Sequence, residues 1–369
     1  MIYTIQKLKL TPFHGDSLMN SIERFNCVLT RQRPDKIPIR VGNYNVFMTH
    51  YYRLGIRDYL ENPALNADLF VKMIKEFELD SVKAGIGYIL YGCGPEMGPV
   101  WEFPEDNFPA ATRGVIEDAD DIDKVTIPSE PAGYFKNFLE INRRVKKAVG
   151  HETHLGVSIL GPFSAAAFLR GYDTLLMDMI QDTAFFTRIM GKASEVSAYI
   201  GRHCMELELD WTNLLEIFLI PGMINPKTYH RLIAPHCDSV CGQISEPPIP
   251  NSNASFMGQP ENDQSYRDGK TIYEYYFGTQ ESLDIIRAAS RFMLPGFPRL
   301  VSLSGNALVH WSTEEILTFL GKGLDYFVKE RKEYPSIFLA SLQSENQEQA
   351  PEVAEKLRAI AAFRNEYTL

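Results

Sequence analysis

The chain has 369 residues, with 37 Lys and Arg against 47 Asp and Glu, and a formal net charge of −10. That balance argues against a nucleic-acid binder, because neutralising phosphates needs clustered basic side chains and no such cluster is visible. Hydrophobic residues at 45% and charged residues at 23% are ordinary for a globular protein with a large core, and no apolar run approaches the ~20 residues of a membrane span.

The first apolar run, KIPIRVGNYN (36–45), reads as a strand with a polar mouth formed by Asn43 and Tyr44. ALNADLFVKMIKEF follows with apolar residues three and four apart, the spacing of a helix. DSVKAGIGYIL (80–90) is a second strand-like run. GCGPEMGPVWEFPEDNFPAATRG (92–114) breaks the rhythm with Gly, Pro and acids and reads as a long irregular loop. YFKNFLEINRRVKKAV is helical, THLGVSILGPF (153–163) is a third strand with its turn, and a long helical stretch runs from Leu175 to Leu207. TNLLEIFLIPG (212–222) is a fourth strand, and Asn225-Pro226 then gives an N-cap with proline at the first helical position.

A second irregular stretch, residues 245–269, precedes KTIYEYYFG (270–278). RLVSLSGN (299–306) and SIFLASLQS (336–344) are the last two apolar runs, and between them Ser312 to Glu315 has the capping-box form. Strands alternating with helices require parallel pairing, since parallel strands need long crossovers. Seven or eight such units, with no Gly-rich phosphate fingerprint after the first strand, predict an α/β fold: one (β/α)8 TIM-type barrel with long mouth loops. The expected domain is the whole chain, 1–369, with an N-terminal helical extension over about 1–35.

Active sites of such barrels lie at the C-terminal strand ends, so polar residues there take priority. Glu216 interrupts an apolar strand and must be partnered, protonated or at the mouth. It is read either as a general acid or electrostatic anchor, or as half of a structural salt bridge. Tyr275 shares a strand face with Phe277, which offers a phenol donor beside an apolar wall, or a packed aromatic core. Asn306 closes a strand, His310 follows as an acid or base near neutral pH, and Gln343 sits at the last strand's mouth. Each of these also has an ordinary structural reading. In HCDSVC (236–241), Cys237 and Cys241 share a helix face while His236 points away, so these are read as buried structural cysteines. The five cysteines form no Cys-x-x-Cys pattern. With no signal peptide at the start, reduced thiols in the cytoplasm are the expectation.

Several blocks, in order, resemble the uroporphyrinogen decarboxylase superfamily and its corrinoid-dependent methyltransferase branch. They are MNSIERFNCVLTRQRPDKIPI (19–39), ILGPFSAAAFLRGYDTLLMDMIQD (159–182), LSGNALVHWSTEEI (303–316) and SLQSENQEQAPEVAEKL (341–357). The resemblance implies a TIM-type barrel, with Phe163 of the Gly-Pro-Phe turn among the substrate contacts together with Asn43, Tyr44, Phe277, Asn306 and Gln343. The decarboxylases carry an arginine motif after the first strand that grips porphyrin carboxylates, whereas RVGNYNVF has no arginine pair there. A porphyrin would lack its fork-shaped partners. Thiol-methylating members hold zinc through a His-x-Cys-Gly strand end and a later cysteine. Those positions align with Tyr275 to Gly278 and near Leu342, so the usual zinc ligands are absent.

What the resemblance implies is transfer of a methyl group from a small methylated compound, such as a methyl ether, to cobalamin carried by a partner corrinoid protein. Glu216 and Tyr275 are the candidates for assisting the departing oxygen. Two alternatives stay open. One is a decarboxylase of a small non-porphyrin carboxylate, for which Arg40 and Lys83 are the early-strand cations. The other is a ligand-binding relative without chemistry. Oligomeric state also stays open, a homodimer included.

Overall fold

The computed structural model describes residues 2–5, 19–86, 92, 94–104, 108–219, 223–244, 299–342 and 344–369. Its central sheet is built from β2 (Ile39–Asn43), β3 (Ser81–Lys83), β6 (His154–Leu160), β7 (Trp211–Leu215), β8 (Arg299–Leu303) and β9 (Pro335–Ser341). These pair in the order β7-β6-β3-β2-β9-β8, and every contact among them is parallel. The first parallel strand therefore lies between the second and the last, which is how a barrel closes on itself. The expected strand at 270–278 lies outside the described residues, as does the loop 245–269.

Curling of the sheet follows from contacts that a flat sheet cannot make. The Arg40 guanidinium of β2 sits 4.4 Å from the ring centre of Trp211 on β7 and 5.5 Å from that of Phe338 on β9. β2 and β7 are separated by two intervening strands, so these side chains meet only across an enclosed interior. Gly156 makes this possible, since a Cβ there would stand 2.0 Å from the Trp211 ring.

Alternation along each strand sorts the two faces. Val41, Val82, Val157, Ile159, Leu214, Val301, Ile337 and Leu339 are buried on the outer face, beneath the helices. The helices show the matching stripe. In α5 (Gly133–Val149), Phe135, Phe138, Leu139, Ile141, Val145 and Val149 are all buried, each worth about 1.5–3 kcal/mol relative to exposure. The other helices are α1 (Ser21–Leu29), α2 (Asn45–Tyr51), α3 (Ile56–Glu61), α4 (Pro63–Glu76), α6 (Pro162–Arg170), α7 (Tyr172–Gln181), α8 (Thr183–Met205), α9 (Pro226–Leu232), α10 (Ala234–Ile244), α11 (Gly305–His310), α12 (Thr313–Asp325) and α13 (Ala350–Glu366).

Local signals placed their elements well. Asn225 accepts from the Thr228 amide at the start of α9, and Ser312 and Glu315 form a complete capping box on α12. Three expectations need correction. The stretch from Leu175 is two helices, because Asp182 leaves helical geometry and caps α8 by accepting from Phe185. Within 92–114 an antiparallel hairpin forms from β4 (Val100–Glu102) and β5 (Ala110–Arg113). Among the described residues of the N-terminal extension, α1 is helical but β1 (Ile2–Ile5) is a strand that pairs antiparallel with β7.

Opposite the mouth, a buried ion network ties the chain's two ends to the sheet. Asp80, just before β3, accepts from Arg24 Nη1 at 2.5 Å, Arg364 Nη1 at 2.6 Å, the Ile39 amide at 2.8 Å and Ser21 Oγ at 2.9 Å. No described helix is long and apolar enough to cross a membrane.

Candidate active site at the barrel mouth

Three side chains with polar heads share the inner face of neighbouring strands: Arg40 of β2, Lys83 of β3 and Ser158 of β6. Lys83 ends the short strand β3 and lies in register with Gly156, the third of the seven residues of β6. Its Nζ donates to Ser158 Oγ at 3.2 Å. Desolvation, and then repulsion from the Arg40 guanidinium, bring the ammonium down to about 7. A lysine there exchanges its proton at neutral pH, which an exposed lysine does not. Trp211 and Phe338 flank Arg40 and give the same interior two aromatic walls.

In register with Ser81 and, through it, with Arg40, His154 is bonded through Nδ1 to Ser81 Oγ at 3.0 Å and stacked on Phe25, with ring centres 4.4 Å apart. Burial, reinforced by Arg40, lowers its pKa to about 3, so it stays neutral and acts as packing.

Glu216 follows β7 at the mouth end but points away from the interior. Its carboxylate accepts from the Phe163 amide at 2.9 Å, the Ser164 amide at 2.7 Å and Ser164 Oγ at 2.6 Å. The side chain is 1% exposed, and Gly161 leaves it room, since a Cβ there would lie 2.4 Å from Oε1. Cys237 Sγ adds a contact at 3.5 Å. These bonds make it a carboxylate that caps the first turn of α6. Burial raises its pKa, opposed by the hydrogen bonds from Ser164 and Phe163. Glu216→Ala is expected to destabilise the fold by about 3 kcal/mol, because charged-group hydrogen bonds are lost and buried donors stranded. Denaturant unfolding checks this; loss of turnover with unchanged unfolding would restore the acid role.

The other expected site residues separate. Tyr44 is 3% exposed, with its ring edge-on to Phe70 at 4.7 Å, so it packs against α4 instead of facing a substrate. Phe163 is fully buried and contributes its amide to Glu216, which corrects its placement among substrate contacts. Asn306 does not end a strand: β8 stops at Leu303, Ser304 caps α11, and Asn306 is exposed on that helix. His310 ends α11, more than half exposed, with Nε2 3.8 Å from Glu345 Oε1. An exposed pair of this kind contributes little. Asn43 ends β2 in register with Ser341. Its side chain lies outside the described residues, as do Tyr275, Phe277 and Gln343.

The Cys237 and Cys241 thiols are buried on one face of α10 with Ile233 and Ile244, as their spacing implied. His236 faces Ser194 Oγ at 3.2 Å. Among the described residues no three His, Cys, Asp or Glu side chains converge to hold a metal ion. Leu342, at the place of the later zinc-binding cysteine, is a buried apolar side chain, so this part of the chain does not fit a zinc-thiolate site.

Sequence reasoning placed Lys83 on a strand but not its head in the interior, and it passed over Ser158, Trp211 and His50. Inner and outer faces differ by one residue of register, and only the Gly156 gap betrays Trp211.

A family model for uroporphyrinogen decarboxylase (URO-D) matches residues 20–253. No curated protein sequence matches the chain. Among solved structures, a methyltransferase from Methanosarcina mazei is similar at 14% identity and a TM-score of 0.70, covering 94% of this chain and 99% of that one. At that identity the likeness concerns the fold.

Proposed function

The chain belongs to the uroporphyrinogen decarboxylase family, and from that premise we propose that it is a methyltransferase. It moves a methyl group from a small methylated compound, of which a methyl ether is the favoured class, to cobalamin on a partner corrinoid protein. Support comes from the methyltransferase fold likeness and, above all, from Lys83. A methyl ether leaves poorly unless its oxygen receives a proton as the carbon–oxygen bond breaks. Lys83, with its pKa brought to about 7, carries a transferable proton on the inner face of the barrel beside Ser158. The electron pair of the broken bond stays on oxygen, the Lys83 proton joins it, and the alcohol leaves. Arg40 supplies positive potential to that developing charge, and Trp211 and Phe338 give the donor an apolar wall. The corrinoid supplies the nucleophile that accepts the methyl group. Proton donation thus passes from Glu216, which is committed to α6, to Lys83. No zinc enters this account.

Two neighbouring cations, Arg40 and Lys83, also suit a carboxylate, which keeps a decarboxylase of a small acid as the second reading. One experiment separates them. Purified protein is mixed with reduced corrinoid protein of proven methyl-accepting activity and offered a panel of methyl ethers and small carboxylic acids. Methylated cobalamin without carbon dioxide release is the expected outcome; carbon dioxide release alone favours decarboxylation, and neither product contradicts both. The methyl-transfer reaction and the reduced thiols of the buried Cys27, Cys204, Cys237 and Cys241 both point to work in the cytoplasm.

A further inference from the structure

Beside the barrel mouth lies a cleft of about 520 Å³, lined by none of the interior side chains discussed above. One wall is a single face of α2 and the turn after it, carrying Thr49, His50 and Arg53. The facing wall is the 345–348 segment that follows β9, carrying Glu345 and Glu348. The two walls arise from neighbouring strands, β2 and β9.

The walls are fixed before anything binds. His50 Nδ1 lies 2.8 Å from Ser344 Oγ and 3.2 Å from the Ser344 carbonyl. A carbonyl only accepts, so the tautomer with its proton on Nδ1 satisfies both contacts, and that tautomer has Nε2 as an acceptor. This link ties the helix wall to the residue that precedes the acidic wall. Asn346 Oδ1 accepts from the Glu348 and Gln349 amides, and Gln349 Oε1 from the Glu345 amide, which sets the acidic wall. On the basic wall the Leu54 amide returns to Thr49 and the Arg53 amide to His50, closing α2 in a Schellman turn.

Two exposed charges of the cleft are uncommitted. Among the described residues neither the Arg53 guanidinium nor the Glu348 carboxylate makes a hydrogen bond or ion pair, although both line the same cleft. Glu345, on the same wall as Glu348, lies 3.8 Å from His310 Nε2. A preformed cleft with one free cation on one wall and one free anion on the other matches a molecule of complementary charge at its two ends.

We propose that this cleft is a binding site for a small zwitterion, its carboxylate on Arg53 and its ammonium on Glu348, with His50 Nε2 accepting from the ligand's middle. The site stands apart from the methyl-transfer reading and survives if that reading fails.

Arg53 offers an unusually clean test. It sits at φ +54°, the left-handed region that glycine favours. Arg53→Gly therefore removes the guanidinium while relaxing the backbone, so lost binding is not lost folding. The probes are α,ω-amino acids from glycine to 6-aminohexanoate, with acetate and propylammonium as single-charge controls, titrated calorimetrically into the full chain. The expected result is binding by at least one amino acid and by neither control. Arg53→Gly and Glu348→Gln should each weaken that binding at least tenfold, with the thermal midpoint unchanged or raised in Arg53→Gly. Absence of binding by every amino acid in the series, equal binding by either control, or undiminished binding in both variants overturns the proposal.

Discussion

Lys83→Met is expected to lower methyl-transfer turnover about 10²- to 10⁴-fold, the range that positioned proton donors contribute, while leaving the fold at least as stable as before. The two effects have one cause. An unfolded lysine titrates near ~10.4, whereas the folded Lys83 is held down to about 7 by burial and by Arg40. Between these values the unfolded chain binds the extra proton, so wild-type stability rises as pH increases from 7 to 10. With the side chain half-buried, that gain is on the order of 2 kcal/mol, and it is absent in the variant. Methionine keeps the length and drops the charge, so it removes a folding penalty together with the acid. Denaturant unfolding at pH 7 and 10, run beside turnover, checks both parts. A variant that loses stability at pH 7 and keeps its turnover would make Lys83 a packing residue. For the wild type, turnover should fall as pH rises through about 7, because the proton-bearing form of Lys83 disappears there.

Asp80→Ala carries the largest expected loss of stability, about 3–5 kcal/mol, a large share of the ~5–15 kcal/mol typical of a whole domain. Arg364 is 1% and Asp80 2% exposed. Removing the carboxylate takes away the buried partner that the Arg24 and Arg364 guanidiniums share at 2.5 and 2.6 Å, leaving Arg24 with Asp35 and Arg364 with Glu78 as their remaining carboxylates. It also leaves the Ile39 amide without its side-chain acceptor at the start of β2. The loss should be worst at the chain ends, since Arg24 lies in α1 and Arg364 in α13. The control is Arg144→Ala. Its 2.7 Å pair with Glu140 is half exposed on α5, and such pairs give ~0–1 kcal/mol. Equal losses in the two variants would contradict the network's role.

How much of this was legible in the sequence depended on how local the determinant was. Ser312 with Glu315, and Asn225 with Pro226, act within one helical turn, and both caps form as read. Strand positions were legible from their apolar runs, and the barrel from strand–helix alternation. Side-chain direction was not, because a one-residue shift turns a strand's inner face outward. TNLLEIFLIPG reads as one continuous strand, yet β7 ends at Leu215, and Glu216 turns back to serve the amides of α6. NVFMTHY, rich in residues that favour strands, hid α2 and with it His50. Lys83 was visible as a cation on a strand. Its depressed pKa depends on Arg40 across the strand pair and on enclosure by the closed sheet, neither of which sequence spacing reports.

The central claim is that this barrel transfers a methyl group with Lys83 as the proton donor. It is tested most directly by a single turnover of a ¹³C-methyl ether with reduced corrinoid protein at pH 6 and at pH 8.5. The account predicts label on the cobalamin at both values, formed faster at pH 6, with the pH dependence abolished in Lys83→Met. Label that never leaves the donor, with the corrinoid protein verified as competent, would contradict methyl transfer. Transfer with the same pH profile in Lys83→Met would contradict the role given to Lys83.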